Sequence, residues 1–142
     1  MSLHRLIYIS HAKAGLGYYD LRDIQEKSER NNSRDGISGL LCFGNGLFLQ
    51  VLEGSRVAIS QTYHRIAADP RHNEPELVDF RDVEQRLFTV WSMKVTDLGS
   101  QASEKVQHLH LKHGSSPAFD PTSMTAVQCL NLMIDLAQLY AD

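Results

Sequence analysis

The segment Leu47-Phe48-Leu49-Gln50-Val51-Leu52 constrains the fold more than any other stretch of the chain. A strand sends successive side chains to opposite faces, so Leu47, Leu49 and Val51 point one way and Phe48, Gln50 and Leu52 the other. Both faces are apolar, and residues 37–43 have the same character. Such strands belong to a sheet covered on both sides, because an apolar face left in water forfeits the burial that drives folding. The chain must therefore supply two covering layers. Gly44-Asn45-Gly46, between the two runs, is a hairpin signal that makes them neighbouring antiparallel strands.

The rest of the chain supplies those layers. Residues 5–10 read as a first strand, followed by a loop with Gly15 and Gly17. Asp20 can cap a helix with Leu21 and Ile24 on one side, Gln25 and Ser28 following at helical spacing. That helix is predicted to end near Asn31-Asn32, because Ser33-Arg34-Asp35-Gly36 is turn chemistry. Ser55 opens a second helix with Ile59, Tyr63 and Ile66 on one face, and Asp69-Pro70 stops it. Residues 77–83 read as a fourth strand, and a turn around Gln85-Arg86 leads to a fifth over residues 88–96.

The order βαββαββ makes the fold class α+β, and its first six elements form the ferredoxin-like split βαβ arrangement. The two helices cover one face of the sheet. The tail is expected to cover the other. It contains a linker at residues 99–103, a short amphipathic piece at 106–112, a loop at 114–120 and a final helix opened by Asp120-Pro121. Met124, Val127, Leu130, Leu132, Met133, Ile134, Leu136 and Leu139 make that helix apolar nearly all round. Such a helix is buried or forms an interface, and both are expected here. Residues 1–97 are read as the main domain and 98–142 as an extension that packs on the sheet and supports self-association.

Composition excludes several functions. The formal net charge of −3 gives no basic footprint for nucleic acid. No apolar run approaches a membrane span, and the first one is broken by Arg5 and too short for a signal peptide. Cys42 and Cys129 lack ligand spacing and read as reduced packing residues, as expected in the cytoplasm. His108 and His110 do not face each other on a helix, and with His113 they find no cysteine or carboxylate to complete a metal site. No Gly-rich phosphate cradle is present.

What remains is a set of polar side chains inside apolar segments. Tyr8 is central in the first strand, and Gln50 interrupts an apolar run. Asn31-Asn32 adjoin the sheet opening, and Trp91 and Met93 share a face two residues apart. Each has an ordinary reading. A strand tyrosine can simply pack, Gln50 can bond to backbone, an asparagine can cap a helix, and Trp91 and Met93 can be core. Arg65 and Asp69 stand at i,i+4, with His72 just past the proline stop. Taken together, the set offers donors and acceptors with almost no net charge. That suits a flat polar ring better than a phosphate or a metal.

The combination resembles the BLUF family of flavin-based blue-light sensors. The resemblance runs through Arg5-Leu6-Ile7-Tyr8-Ile9-Ser10, Asn31-Asn32, Gly36-Ile37-Ser38-Gly39-Leu40-Leu41, Phe48-Leu49-Gln50-Val51-Leu52-Glu53-Gly54, Tyr63-His64-Arg65-Ile66, Asp69, Arg71-His72 and Trp91-Ser92-Met93. The tail, with Asp120-Pro121 and Cys129-Leu130-Asn131-Leu132, is similar to short cyanobacterial phototaxis receptors of the PixD type.

The resemblance implies FAD as cofactor, with FMN or riboflavin admissible, bound by Asn31, Asn32, Gln50, Arg65, Asp69, Arg71 and His72. Asp69 is expected to orient Arg65. Tyr8, Gln50, Trp91 and Met93 are the implied photochemical residues. The excited flavin takes an electron and a proton from Tyr8 by way of Gln50, whose hydrogen bonds then differ. The implied output is contact with a response-regulator-like protein, in a homo-oligomer without catalytic activity of its own. Two other readings fit the fold class: an acylphosphatase-type enzyme recruiting Arg5 and Asn32, and a flavin-free module that binds a small metabolite.

Overall fold

The structure is a computed structural model that describes residues 2–89, 93–99, 102–114 and 116–141. Its strands are β1 (Leu3–Ala12), β2 (Ser38–Gly44), β3 (Leu47–Ser55), β4 (His72–Val83) and β5 (Lys94–Asp97). Its helices are α1 (Tyr18–Asp35), α2 (Arg56–Ala68), α3 (Glu104–His113) and α4 (Ala126–Ala141), with a 3-10 turn at Pro121–Ser123. The strands form one sheet in the order β4-β1-β3-β2-β5. All neighbours are antiparallel except β2 and β5, which run parallel. This is the expected ferredoxin-like α+β architecture.

The hairpin between β2 and β3 turns on Asn45 and Gly46, both left-handed at φ 53° and 73°. Two consecutive positive φ values give the turn a twist that matches the flanking strands. Strand alternation then sorts the core. Leu6, Tyr8, Leu41, Phe48 and Leu52 pack with Ile24 of α1 and Ile59 of α2. Ile7, Ile9, Leu40, Leu49 and Val51 pack with Phe119, Cys129, Leu132, Met133 and Leu136 of the tail. Both sheet faces are covered, the first by the two early helices and the second by the tail, as the double-faced strands require.

β4 begins at His72 rather than at residue 77, and three further boundaries differ from expectation. The first is α1, which starts at Tyr18 and continues to Asp35. Asp20 sits at its third position, accepting the Gly17 N–H at 3.0 Å rather than capping the helix itself. The helix stops where Gly36 adopts φ 71°, and the Gly36 left-handed position serves as the cap. Asn31 and Asn32 are therefore within the final turns and do not cap the helix. The polar run Ser33-Arg34-Asp35 is exposed or half-exposed surface that can remain helical because the chain breaks only at the glycine.

The second difference is β5, which covers Lys94–Asp97 where the sequence predicts a strand over residues 88–96; residues 88 and 89 are outside any strand, and residues 90–92 lie outside the described residues. Phe88 instead inserts into the tail-side core at 1 % exposure. Although consecutive in sequence, β4 and β5 lie at opposite edges of the sheet. The described residues that follow β4, 84–89, are not part of any strand. The third is the final helix. Pro121 begins only the 3-10 turn, and α4 starts at Ala126.

A buried ionic node anchors the crossover. Glu53 is fully buried and lies 2.9 Å from Arg5 Nε. Its carboxylate also accepts the backbone N–H groups of Leu87 at 3.0 Å and Phe88 at 2.7 Å. Arg86 donates to Ser38 Oγ at 2.8 Å and to the Gly36 carbonyl at 2.7 Å.

Close sheet packing also has a direct test. A Cβ on Gly39 would lie 2.1 Å from the Val51 carbonyl oxygen. Backbone cannot yield as a flexible side chain does, so Gly39→Ala is expected to cost about 1–3 kcal/mol of stability. An unchanged urea midpoint would refute this packing.

Candidate functional site

Helices α1 and α2 leave a cleft between their C-terminal halves, above the middle of the sheet. Its lining from α1 recurs at helical spacing: Ile24, Lys27, Ser28, Asn31 and Asn32. Thr62, Arg65 and Ile66 line it from α2, followed by Asp69, Arg71 and His72 as the chain returns to the sheet. Gln50 of β3 completes the lining. The cleft encloses about 670 Å³ of empty space, its open mouth included. All seven residues expected to bind a cofactor line this one cleft. Ile24, Lys27, Ser28, Thr62 and Ile66 were not foreseen, although the spacing from Asn31 and Arg65 back along each helix points to them.

A chain of buried contacts lies beneath the cleft. Tyr8 and Gln50 are direct partners in the β1–β3 register, and both face the helices. The Tyr8 hydroxyl donates to Gln50 Oε1. Gln50 Nε2 donates to Met93 Sδ at 3.2 Å. Tyr8 is fully buried, with Tyr63 edge-on at 5.4 Å between ring centroids. Desolvation, reinforced by Tyr63 and the Asp69 carboxylate, pushes its pKa far above that of an ordinary phenol, so Tyr8 stays protonated. Met93 is 2 % exposed and immediately precedes β5. Trp91, expected beside it, lies outside the described residues.

The polar rim differs from expectation in one pairing. Arg65 and Asp69 stand four apart, but Asp69 is the residue where α2 ends, with extended backbone at φ −73° and ψ 124°. Helical i,i+4 proximity is lost there. Asp69 instead binds Arg71, through the backbone N–H at 2.9 Å and the guanidinium at 2.8 Å. Hydrogen bonds from Arg71 hold the Asp69 carboxyl below the usual carboxylate range. Arg71 also donates to Asp23 of α1 at 2.8 Å. Arg65 is oriented by Thr62 Oγ1 at 3.2 Å and reaches Asp35 at 3.5 Å. His72 shares a hydrogen bond with Ser10 Oγ at 2.9 Å and packs on Phe48. Burial pushes its pKa down, so the imidazole is neutral at pH 7.

This lining is chemically specific. Carboxamides and a guanidinium match a flat ring whose edge alternates carbonyls with an N–H, since amides supply both donor and acceptor. Gln50 is itself part of the lining, so a ring seated in the cleft would meet it. Among the described residues no group of His, Cys, Asp and Glu could hold a metal ion. No helix among them is long and apolar enough to cross a membrane.

Comparison with known proteins identifies the family. The family model described as BLUF, sensors of blue-light using FAD, matches residues 3–94. The photoactivated adenylate cyclase subunit beta of Euglena gracilis is 36% identical over 93 residues, which are 65% of this chain and 11% of the relative. The chain thus spans about a tenth of the length of the curated relatives it matches. Among solved structures, the dark state of BlrB, a BLUF protein, superposes with a TM-score of 0.81 at 25% identity, covering 97% of each chain. A bacterial light-regulated adenylyl cyclase gives a TM-score of 0.72 at 32% identity, covering 78% of this chain and 32% of that one. With nearly the whole sheet, both early helices and the Tyr8–Gln50 pair inside the matched region, the chain belongs to the BLUF family of blue-light sensors that use flavin.

Proposed function

We propose that the cleft between α1 and α2 holds the ring of an oxidised FAD, and that light is registered as a change in the hydrogen bonding of Gln50. The buried Tyr8–Gln50–Met93 chain beneath the cleft carries this reading. Asn32, with Asn31 beside it, would bind the carbonyl–imide edge of the ring, and Arg65 the neighbouring carbonyl. Asp69, Arg71 and His72 would complete the rim. When bound, the flavin supplies the blue absorption and an excited state able to accept an electron and a proton.

The residues do the rest. Tyr8 holds its proton at Oη and directs it at Gln50 Oε1. With a flavin bound, Tyr8 would be the donor of an electron and, through Gln50, of that proton to the excited ring, and would recover both, so no net oxidation would remain. Gln50 is the part that can differ afterwards. Its Nε2 is held by a thioether, which is a weak acceptor. Rotation of the amide turns Nε2 toward the Tyr8 oxygen, which then accepts instead of donating. Oε1 is turned toward Met93 Sδ, which has no proton to give, so the carbonyl must find a donor elsewhere. The two arrangements of the amide therefore differ in which group satisfies its carbonyl, and a donor on the bound ring would decide between them, as a bistable element requires.

Met93 joins this element to β5 and so to the tail. Residues 1–97 act as the flavin unit and 98–142 as a cover for the sheet that also offers the contact surface, where Val127 of α4 is 67 % exposed. The output is contact with a response-regulator-like protein in the cytoplasm, within a homo-oligomer and without catalysis by this unit. Control of phototaxis is the corresponding role. Purified protein is expected to be yellow and to show a reversible red shift of flavin absorption under blue light. Colourless protein that takes up no added flavin would overturn the reading.

A further inference from the structure

A second cavity lies on the tail side of the sheet, where the β2–β3 hairpin, the linker after β5, α3 and the loop before the 3-10 turn meet. It encloses about 900 Å³ of empty space, its open mouth included, a size typical of small-molecule sites. Main-chain contacts fix its walls. The Leu98 N–H donates to the Phe43 carbonyl at 2.7 Å, and a Cβ on Gly44 would lie 2.7 Å from the Leu98 carbonyl carbon. Asn45 at the hairpin tip donates to the Phe119 carbonyl across the cavity at 3.4 Å.

His110 is the residue in this wall that packing does not explain. It is 6 % exposed, and among the described residues its imidazole takes part in no hydrogen bond. It stands edge-on to the Phe119 ring, with centroids 5.9 Å apart and the planes at 74°. A buried polar group without a partner costs stability, so its place in a cavity wall points to a partner from outside the chain. The rest of the lining decides what that partner is. Among the described residues no charged side chain lines the cavity. Burial holds the His110 pKa below its usual value, so the imidazole is neutral at pH 7 and has one donor and one acceptor nitrogen. Gln107 Nε2 is taken by the Ala102 carbonyl at 2.9 Å and Asn45 Nδ2 by Phe119, which leaves both amide oxygens to accept. Acceptors therefore outnumber donors. Leu98, Leu111, Pro117 and Phe119 make the remainder apolar.

We propose that this cavity is a binding site for a small neutral aromatic molecule that carries a ring N–H or O–H. The polar hydrogen satisfies His110 or one of the two amide oxygens, and the ring packs against Phe119 and Leu98. The site does not rest on the flavin reading, because Leu98 and Phe119 belong to the core on the opposite face of the sheet from the cleft. A ligand there would bridge the hairpin, the end of β5 and α3.

The full chain as purified would be titrated with indole and followed by the NMR shifts of its backbone amides. Those of Leu98, Gly99, Gln107, His110 and Phe119 are expected to move together and to saturate by about 5 mM. Toluene has no polar hydrogen and benzoate carries a charge, so each is expected to bind at least about tenfold more weakly. His110→Phe keeps a ring, removes both nitrogens and is expected to weaken indole about tenfold. Ala118→Trp adds bulk at an exposed position of the lining and is expected to abolish saturation. That variant decides the matter if His110→Phe fails to fold. Indole shifts that do not saturate would mean that the cavity holds water only and would overturn the site. So would equal affinities for toluene and indole, or an indole affinity that the folded variants leave unchanged.

Discussion

Tyr8→Phe is expected to abolish the light-induced red shift while leaving the protein yellow. The substitution keeps the ring that packs on Tyr63 and removes one oxygen. That oxygen is the donor to Gln50 Oε1 and, in the proposed mechanism, the source of the transferable proton. Phenylalanine has no comparable proton to lose and is far harder to oxidise. The cleft lining does not include Tyr8, so flavin binding should survive. Stability should fall by about 1–3 kcal/mol, because a buried amide oxygen loses its partner. Gln50→Leu should give the same spectroscopic outcome from the other side of the bond. Light-minus-dark absorption spectra at equal flavin occupancy decide the matter. A full-size shift in either variant would show that the Tyr8–Gln50 contact is not the switch.

Glu53→Ala is expected to have the largest effect on stability. The deletion leaves Arg5, itself 7 % exposed, without its carboxylate. It also strips two backbone N–H groups, those of Leu87 and Phe88, of their acceptor. Breaking a buried pair by removing one partner costs about 3–5 kcal/mol, since a charge is left uncompensated in a poorly solvating site. Domains of this kind are stable by only about 5–15 kcal/mol in total. Much of the protein should therefore unfold at modest urea concentrations. Replacing Arg5 as well, by Met, should recover part of the loss because the stranded charge is gone. An unaltered urea midpoint for Glu53→Ala would mean that the node does not hold the crossover.

Much of this arrangement is legible in the order of residues. Gln50 stands out because an amide within Leu49-Gln50-Val51 has no apolar reason to be there, and strand parity puts it on the face of Phe48 and Leu52. The cover on both sheet faces follows from the same parity. The cleft residues of α1 and α2 follow from helical spacing once Asn31 and Arg65 are marked. Misreadings arise where local chemistry is ambiguous. Ser33-Arg34-Asp35 looks like a turn but stays helical up to Gly36, and Asp69 looks like the partner of Arg65 until the helix ends at that residue.

The residue pattern by itself determined which side chains face each layer, because the periods of strand and helix are local properties of the backbone. Tertiary structure alone decided that β5 lies beside β2 at the edge opposite β4, that Met93 reaches Gln50 across 43 positions of sequence, and that Asp69 closes on Arg71. Those pairings depend on how the whole sheet is ordered and where each helix stops. No local period encodes contacts between segments so far apart, since their partners are chosen only when the layers pack together.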